Sequence, residues 1–282
     1  MTYVKITEIV MATDFKKLKR FFLNIGNSTV EVKLLPAEVE RAKEQLISQI
    51  FTSFGGFTNL TGNKKPDITI YFSNASEPYI VLEKDKLLSI LLQFNGEKEA
   101  YTTYQISVFE FQLVLRAVIF RLLVNKKMLM LHASAVEIDG KAYIFLGNPG
   151  AGKSTAMKLL STKYHALADD SVLISEEKGE FYFHQTPFHE KEAWIKRGSK
   201  KYPLGGVFFV NKSKEFYIKK ITNSEILVQK IIGQSISEKT EDKKYLKIVM
   251  NFTANYSNIN NIYFAKDSKK LVDLYRAAAY ST

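Results

Sequence analysis

The sequence predicts an α/β protein: an N-terminal mixed α/β region followed by a phosphate-loop domain with a mixed β-sheet. Three observations carry that reading. A strand-like run, Ala142 to Leu146, leads directly into Gly147-Asn148-Pro149-Gly150-Ala151-Gly152-Lys153-Ser154 and then into a helical stretch, Thr155 to Thr162. Strand-patterned segments and helix-patterned segments alternate on both sides of that loop. Only one apolar stretch, Val108 to Val124, is long, and Glu110, Gln112, Arg116 and Arg121 interrupt it, so it reads as a buried helix and not a membrane span.

Composition narrows the classes. The chain has 282 residues, 46% of them hydrophobic and 24% charged, which is ample for a self-sufficient core and unlike a disordered or fibrous chain. With 0 cysteines, disulfide frameworks, thiolate catalysis, zinc fingers and iron–sulfur clusters are excluded. A net charge of +11 calls for an anionic partner. Charge alone also suggests nucleic acid, but no aromatic stacking motif or helix-turn-helix pattern accompanies it, which disfavours that partner. No basic segment precedes an apolar run at the N-terminus, so a cytoplasmic location is expected.

Along the chain, the first part reads as a helix around Phe15 to Phe22, a strand at Thr29 to Leu34 and a helix at Ala37 to Ile50. After the break Gly62-Asn63-Lys64-Lys65-Pro66 come strands at Asp67 to Phe72, Tyr79 to Leu82 and Leu87 to Phe94, then the helix Phe109 to Val124. Asn125-Lys126-Lys127 ends that helix and sets the expected boundary between residues 1–126 and 127–282. Beyond it Met128 to Ile138 reads as one strand, Asp139-Gly140 as a two-residue hairpin turn and Ala142 to Leu146 as its partner.

The loop matches G-x-x-x-x-G-K-[ST] at every specified position. Glycines let successive N–H groups turn inward around phosphate oxygens, Lys153 supplies a point charge, and Ser154 offers a hydroxyl to Mg²⁺. Residues Gly147, Asn148, Pro149, Gly150, Ala151, Gly152, Lys153, Ser154 and Thr155 are therefore the expected nucleotide-binding set. Only 16 residues past Ser154 comes Asp170, in Ala168-Asp169-Asp170. Two adjacent carboxylates there can divide the work of holding metal and accepting a hydroxyl proton. His132, in Leu131-His132-Ala133, is expected on the strand that hairpins into the loop strand; a lone histidine among apolar residues is otherwise a core residue. His165, His184 and His189 show no comparable pattern.

His132, the loop and Ala168-Asp169-Asp170, in that order, resemble the catalytic domain of HPr kinase/phosphorylase and its relatives, a phosphate-loop fold also related to phosphoenolpyruvate carboxykinase. Gln185-Thr186-Pro187-Phe188 and Pro203 to Val210 resemble segments of HPr-kinase-related proteins found near peptide-modification genes, and the Ile262 to Phe264 strand and Lys269 to Ala279 helix fit that subgroup. The resemblance spans residues 128 to 280. It implies a kinase using ATP, or another nucleoside triphosphate, with Mg²⁺ at Ser154, Asp169 and Asp170. It implies Lys153 on the phosphates, Asp170 as the base and His132 supporting the acidic site. The acceptor would be a Ser-type hydroxyl of a protein, peptide or small molecule, and relatives form homo-oligomers. The alternative is a nucleotide-binding regulator or sensor with weak hydrolysis. Thr155 stands where HPr kinases carry Glu, and the family's E-I-R-G-x-G signature has only an echo in Trp194 to Gly198. Glu190 and Glu192 are candidates for the missing ligand, with an exposed charge as the simpler expectation for each. Between Glu190 and Lys220 nine Lys/Arg face three acids, and that basic segment is expected to flank the acceptor and recruit an acidic peptide or small protein, with Lys196, Arg197, Lys200 and Lys201 as the residues concerned.

Overall fold

The computed structural model describes residues 14–62, 64–74, 81–83, 86–88, 92–188, 190–236 and 243–279. It is an α/β structure dividing into two compact units, Met1–Leu122 and Leu123–Thr282.

In the first unit, β1 (Arg20–Ile25) and β2 (Ser28–Leu34) form an antiparallel hairpin joined by Gly26 and Asn27. Gly26 has φ of +61°, which a two-residue hairpin loop needs and a side chain resists. The helix expected at Phe15 to Phe22 is not there: Phe15 to Lys17 form a turn and Arg20 begins a strand. The hairpin buries Phe21, Phe22, Leu23 and Ile25, and this tertiary gain outweighs local helix propensity. Helix α1 (Glu40–Phe54) follows, then β3 (Thr58–Asn59), β4 (Ile68–Ser73), the small hairpin β5 (Val81–Glu83) and β6 (Lys86–Leu88), β7 (Gln93–Asn95) and β8 (Glu99–Thr103). Tyr79 and Ile80, and Ser89 to Leu91, belong to expected strands but lie outside the described residues. The six-stranded sheet runs β3-β1-β2-β4-β8-β7, with β2, β4 and β8 parallel. Helix α2 (Val108–Asn125) starts at a reciprocal cap: the Ser107 N–H donates to Glu110 Oε2 (2.7 Å) and the Glu110 N–H to Ser107 Oγ (3.2 Å).

In the second unit, the strand expected at Met128 to Ile138 is two strands, β9 (Leu129–His132) and β10 (Ser134–Ile138). They break at Ala133 because β9 pairs with the later β13 and β10 pairs with β11 (Lys141–Leu146) in a different part of the sheet. Asp139 (φ +49°) and Gly140 (φ +79°) both take the left-handed conformation of a type I′ hairpin turn. After β11 come α3 (Lys153–Leu160), β12 (His165–Ala168), β13 (Ser171–Glu177), β14 (Glu180–Gln185) and the long β15 (Lys201–Lys212). The chain continues through β16 (Tyr217–Lys220), α4 (Ser224–Ile232), α5 (Lys243–Asn255), β17 (Ile259–Phe264) and α6 (Ser268–Ala279).

β15 joins the sheet's two arms. Its start pairs antiparallel with β14, and its remainder lies parallel to both β11 and β17. The β11 register jumps from Leu204 to Gly206, leaving Gly205 as the extra residue of a bulge. A Cβ at Gly205 would meet the Tyr143 ring at 2.7 Å, so only glycine fits this corner. On one face, Ala156, Met157 and Leu160 of α3 and Leu271, Val272 and Tyr275 of α6 pack over Phe145, Phe208, Val210, Ile262 and Phe264. Among the described residues, no helix is long and apolar enough to cross a membrane.

Two stability predictions follow from this packing. The Tyr275 hydroxyl is buried with no hydrogen-bond partner, so Tyr275→Phe should raise the stability of the full chain by about 1 kcal/mol in urea titrations, since it removes an unpaired polar group and keeps the ring. Burial holds the His184 imidazole near pKa 4, against an ordinary 6.5, with Nε2 bonded to Ser175 Oγ at 2.8 Å. The unfolded chain takes up a proton below about pH 6.5 that the folded chain refuses until about pH 4, so stability is complete above 6.5 and falls across that window. The loss should reach about 3 kcal/mol, and His184→Gln should flatten the slope of the urea midpoint against pH.

Candidate functional site

β11 ends at Leu146 and the chain enters the loop with Gly147 at φ +146°, Gly150 at +78° and Gly152 at +114°. A Cβ on Gly147 would stand 3.0 Å from the Ala151 Cβ, so the tight return of the loop depends on that glycine. Gly152 caps α3, and Ala156 N–H donates to its carbonyl at 2.8 Å. Lys153 is 8% exposed, and its ammonium donates to the Gly147 carbonyl at 2.7 Å. Burial, with Lys191 nearby, lowers its pKa, while Asp169 and Asp170 raise it. The loop lysine and the acidic pair thus share one electrostatic environment. Asn148, Pro149 and Gly150 are exposed, while Ala151, Gly152, Ser154 and Thr155 are half-buried.

β12 ends at Ala168, so the two aspartates occupy a bend between β12 and β13. Asp169 is 2% exposed; its Oδ1 accepts from Ser134 Oγ at 2.7 Å and its N–H donates to Glu190 Oε2 at 2.5 Å. Asp170 is half-buried beside His132, whose Nδ1 lies 2.8 Å from the Asp170 carbonyl oxygen and 3.6 Å from Oδ1. A carbonyl only accepts, so Nδ1 carries the hydrogen and Nε2 is left as the basic nitrogen. His132 ends β9, which pairs with β13, and is not on the strand that hairpins into the loop strand; the break at Ala133 moves it to the other arm, where Ser171 is its partner.

Glu190 departs from the exposed charge expected of it. Burial pushes its carboxyl up to about 7 against the bond from Asp169, with Asp170 adding to the rise. Glu190 Oε1 and Asp169 Oδ2 are both buried without a hydrogen-bond partner. Glu192 pairs with Lys158 at 2.6 Å. Among the described residues no three His, Asp or Glu side chains form a metal cage. The orphaned oxygens, on Asp169 and Glu190, fit a Mg²⁺ that takes one or two carboxylates and completes its shell with phosphate and water; of the expected set Ser154, Asp169 and Asp170, Asp169 is the one that would offer such an oxygen.

Gln234, which carried no signal in the sequence, ties the parts together. It follows α4, its carbonyl accepts the His132 N–H at 2.8 Å, and its Oε1 accepts the Gly147 N–H at 3.3 Å. Gln185 pins the segment after β14: its Nε2 donates to the Leu167 and Lys196 carbonyls (2.6 and 2.9 Å), and its Oε1 accepts the Gly198 N–H at 3.0 Å. Arg197 donates to the carbonyls of Pro187 (2.7 Å) and Phe188, and Lys201 pairs with Glu177. Arg197 and Lys201, two of the cations expected to recruit the acceptor, thus have partners within the fold. His189 lies outside the described residues. His165 is exposed.

The family model described as "SynChlorMet cassette protein ScmC" matches residues 97–258, more than half of the chain. The chain belongs to the ScmC family. The ScmC match runs from before β8 to the approach to β17, and so contains the loop, the acidic bend, Glu190 and Gln234. Among curated proteins, none matches the chain. Among solved structures, the HPr(Ser) kinase/phosphatase from Coxiella burnetii is similar at 11% identity and a TM-score of 0.31, over 54% of this chain and 97% of that one. A likeness that low carries no argument about function.

Gln234→Ala tests the strut. It should cost about 1 kcal/mol of stability, the worth of one hydrogen bond, and speed amide exchange at Gly147 about fivefold, with exchange in β1 and β2 unchanged.

Proposed function

We propose that this member of the ScmC family is a kinase: residues 127–282 bind a nucleoside triphosphate and transfer its γ-phosphoryl group to a Ser-type hydroxyl of a protein, peptide or small molecule. The resemblance to HPr kinases names ATP as the donor. Residues 1–126 are given no part in the chemistry. The observation that carries the reading is the glycine loop closed on Lys153, whose ammonium donates to the Gly147 carbonyl at 2.7 Å, with Asp169 and Asp170 near enough to oppose the lowering of its pKa by burial.

Inward loop N–H groups, the start of α3 and Lys153 would hold the phosphates and neutralise charge that grows in transfer. The acceptor oxygen forms a bond to the γ-phosphorus as the bond to the bridging oxygen breaks, the nucleoside diphosphate leaves, and Asp170 takes the hydroxyl proton. His132 fixes the Asp170 backbone through Nδ1 and keeps its ring beside the carboxylate. Ser134 and Glu190 hold Asp169 from either side. Mg²⁺, when bound, supplies charge neutralisation on the phosphates.

The test incubates the full chain with γ-labelled ATP, Mg²⁺ and lysate of the source organism. Asp170→Asn should lower labelling of the acceptor at least about a hundredfold, the span of general-base catalysis, with nucleotide affinity kept within about threefold. If nucleotide binds, no acceptor is labelled and Asp170→Asn leaves turnover unchanged, the chain is the sensor and not a kinase.

A further inference from the structure

Two cavities flank the loop. The one on the α4 side, about 390 Å³, is lined by carboxamides including Asn211, Gln229 and Gln234. Its single lysine, Lys230, is already engaged, with Nζ 3.2 Å from Asn261 Oδ1 and over the Phe209 ring. The other, about 400 Å³, opens against Gly152 and Thr155 where α3 begins, and is lined beyond them by Lys212, Ser213, Lys214, Phe264, Ala265 and Lys266.

The second cavity sits at the carboxyl ends of β15 and β17, which run parallel with β11, and small-molecule sites in such sheets lie outside the carboxyl ends of the strands. Sheet order gives it a direction. β10 and β12, which lead to Ser134, Asp169 and Asp170, lie on one side of β11, while β15 and β17 lie on the other. A triphosphate whose γ end lies toward β10 and β12 can leave the loop on the β15 and β17 side, where this cavity lies. The cavity is preorganised there, because the Ser213 N–H donates to the Phe264 carbonyl at 3.0 Å and holds the two strand ends together.

Its chemistry is one-sided. Three lysines line it and no acidic side chain does. Asp267, next to Lys266, is turned to Lys270 at 3.9 Å. An ammonium donates hydrogen bonds and accepts none. A 6-oxopurine shows two acceptors, O6 and N7, along one edge, whereas a 6-aminopurine puts a donor at position 6.

Resting on the nucleotide reading of the loop, we propose that this cavity seats the nucleoside and that its lysine rim selects a 6-oxopurine base, so that guanosine or inosine triphosphate is preferred to ATP. The apolar contacts come from Ala151, Phe264 and Ala265, and the lysines meet the O6/N7 edge.

Titration calorimetry of the full chain at one fixed salt concentration, with GTP, ITP, ATP and inorganic tripolyphosphate, tests it. GTP and ITP should each bind at least about fivefold tighter than ATP, the lower end of what one base-edge contact supplies. Lys214→Gln and Lys266→Gln should each reduce the GTP-to-ATP affinity ratio at least about twofold. That ratio is insensitive to a general loss of positive charge. Ala265→Trp and Ser213→Trp, which fill the cavity, should weaken all three nucleotides about tenfold or more and leave tripolyphosphate within about threefold. ATP binding as tightly as GTP and ITP overturns the base selection. Tryptophan variants that weaken no nucleotide, or weaken tripolyphosphate equally, overturn the nucleoside assignment. If none of the four ligands binds, the loop reading itself fails and this proposal with it.

Discussion

A buried ammonium is the constraint on which the rest of the second unit depends. Lys153 begins α3 against an apolar face, and desolvation there works against its charge. The structure offsets that cost in two ways. The Gly147 carbonyl accepts the ammonium directly, which requires the loop to turn back on itself through backbone angles open to glycine. The carboxylates of Asp169 and Asp170 supply the opposite charge, which requires β12 to end beside the loop.

The acidic bend has its own support. Asp169 is nearly fully buried, and a carboxylate in that position is costly unless its oxygens are occupied. Ser134 satisfies one oxygen, and the other has no hydrogen-bond partner. Glu190 repeats the pattern, with one oxygen taken by the Asp169 N–H and the other orphaned, and burial lifts its pKa to about 7. Two buried carboxyls with spare oxygens are a poor way to stabilise a fold and a reasonable way to keep ligand positions open. The cross-links made by Gln185 and Arg197 explain how Glu190 can be held there, since both fasten the segment on either side of it.

What the sequence made legible follows from locality. The loop, its strand and its helix are contiguous, so Gly147 to Ser154 could be read as a unit, as could the Asp139-Gly140 turn. The acidic pair was legible because it follows within one helix and one strand. His132 was found as a residue but put on the wrong strand, because Leu129 to Ile138 is apolar apart from His132, Ser134 and Glu137, and periodicity cannot show that Ala133 switches the chain between arms of the sheet. Phe15 to Phe22 misled for a related reason: an apolar run beside lysines suits a helix locally, while the hairpin it joins is decided by Gly26 and Asn27 downstream. Gln234 was illegible as a contributor, and Glu190 was a candidate ligand with an exposed charge as the simpler expectation, because each acts on a residue far along the chain, Gly147 in one case and Asp169 in the other. No pattern of residue types announces a hydrogen bond spanning the 87 positions between Gly147 and Gln234.

The positive charge now has two meanings where it first had one. Of the basic cluster between Glu190 and Lys220, Arg197 and Lys201 are turned to carbonyls and to Glu177, and Lys200 lies over the Tyr202 ring. Of these cations, Arg197 bonds across the segment that carries Glu190, to the Pro187 and Phe188 carbonyls. Lys212 and Lys214, in the same cluster, stand at the end of a parallel strand, and Lys266 joins them from β17's end to line a cavity that no acidic side chain enters. Excess charge is retained where a phosphate-bearing ligand would leave the loop and is neutralised where the chain must fold. On the proposed reading the nucleotide would itself be an anion for this surplus to meet, and the acidic acceptor that the net charge first suggested is not needed to account for it.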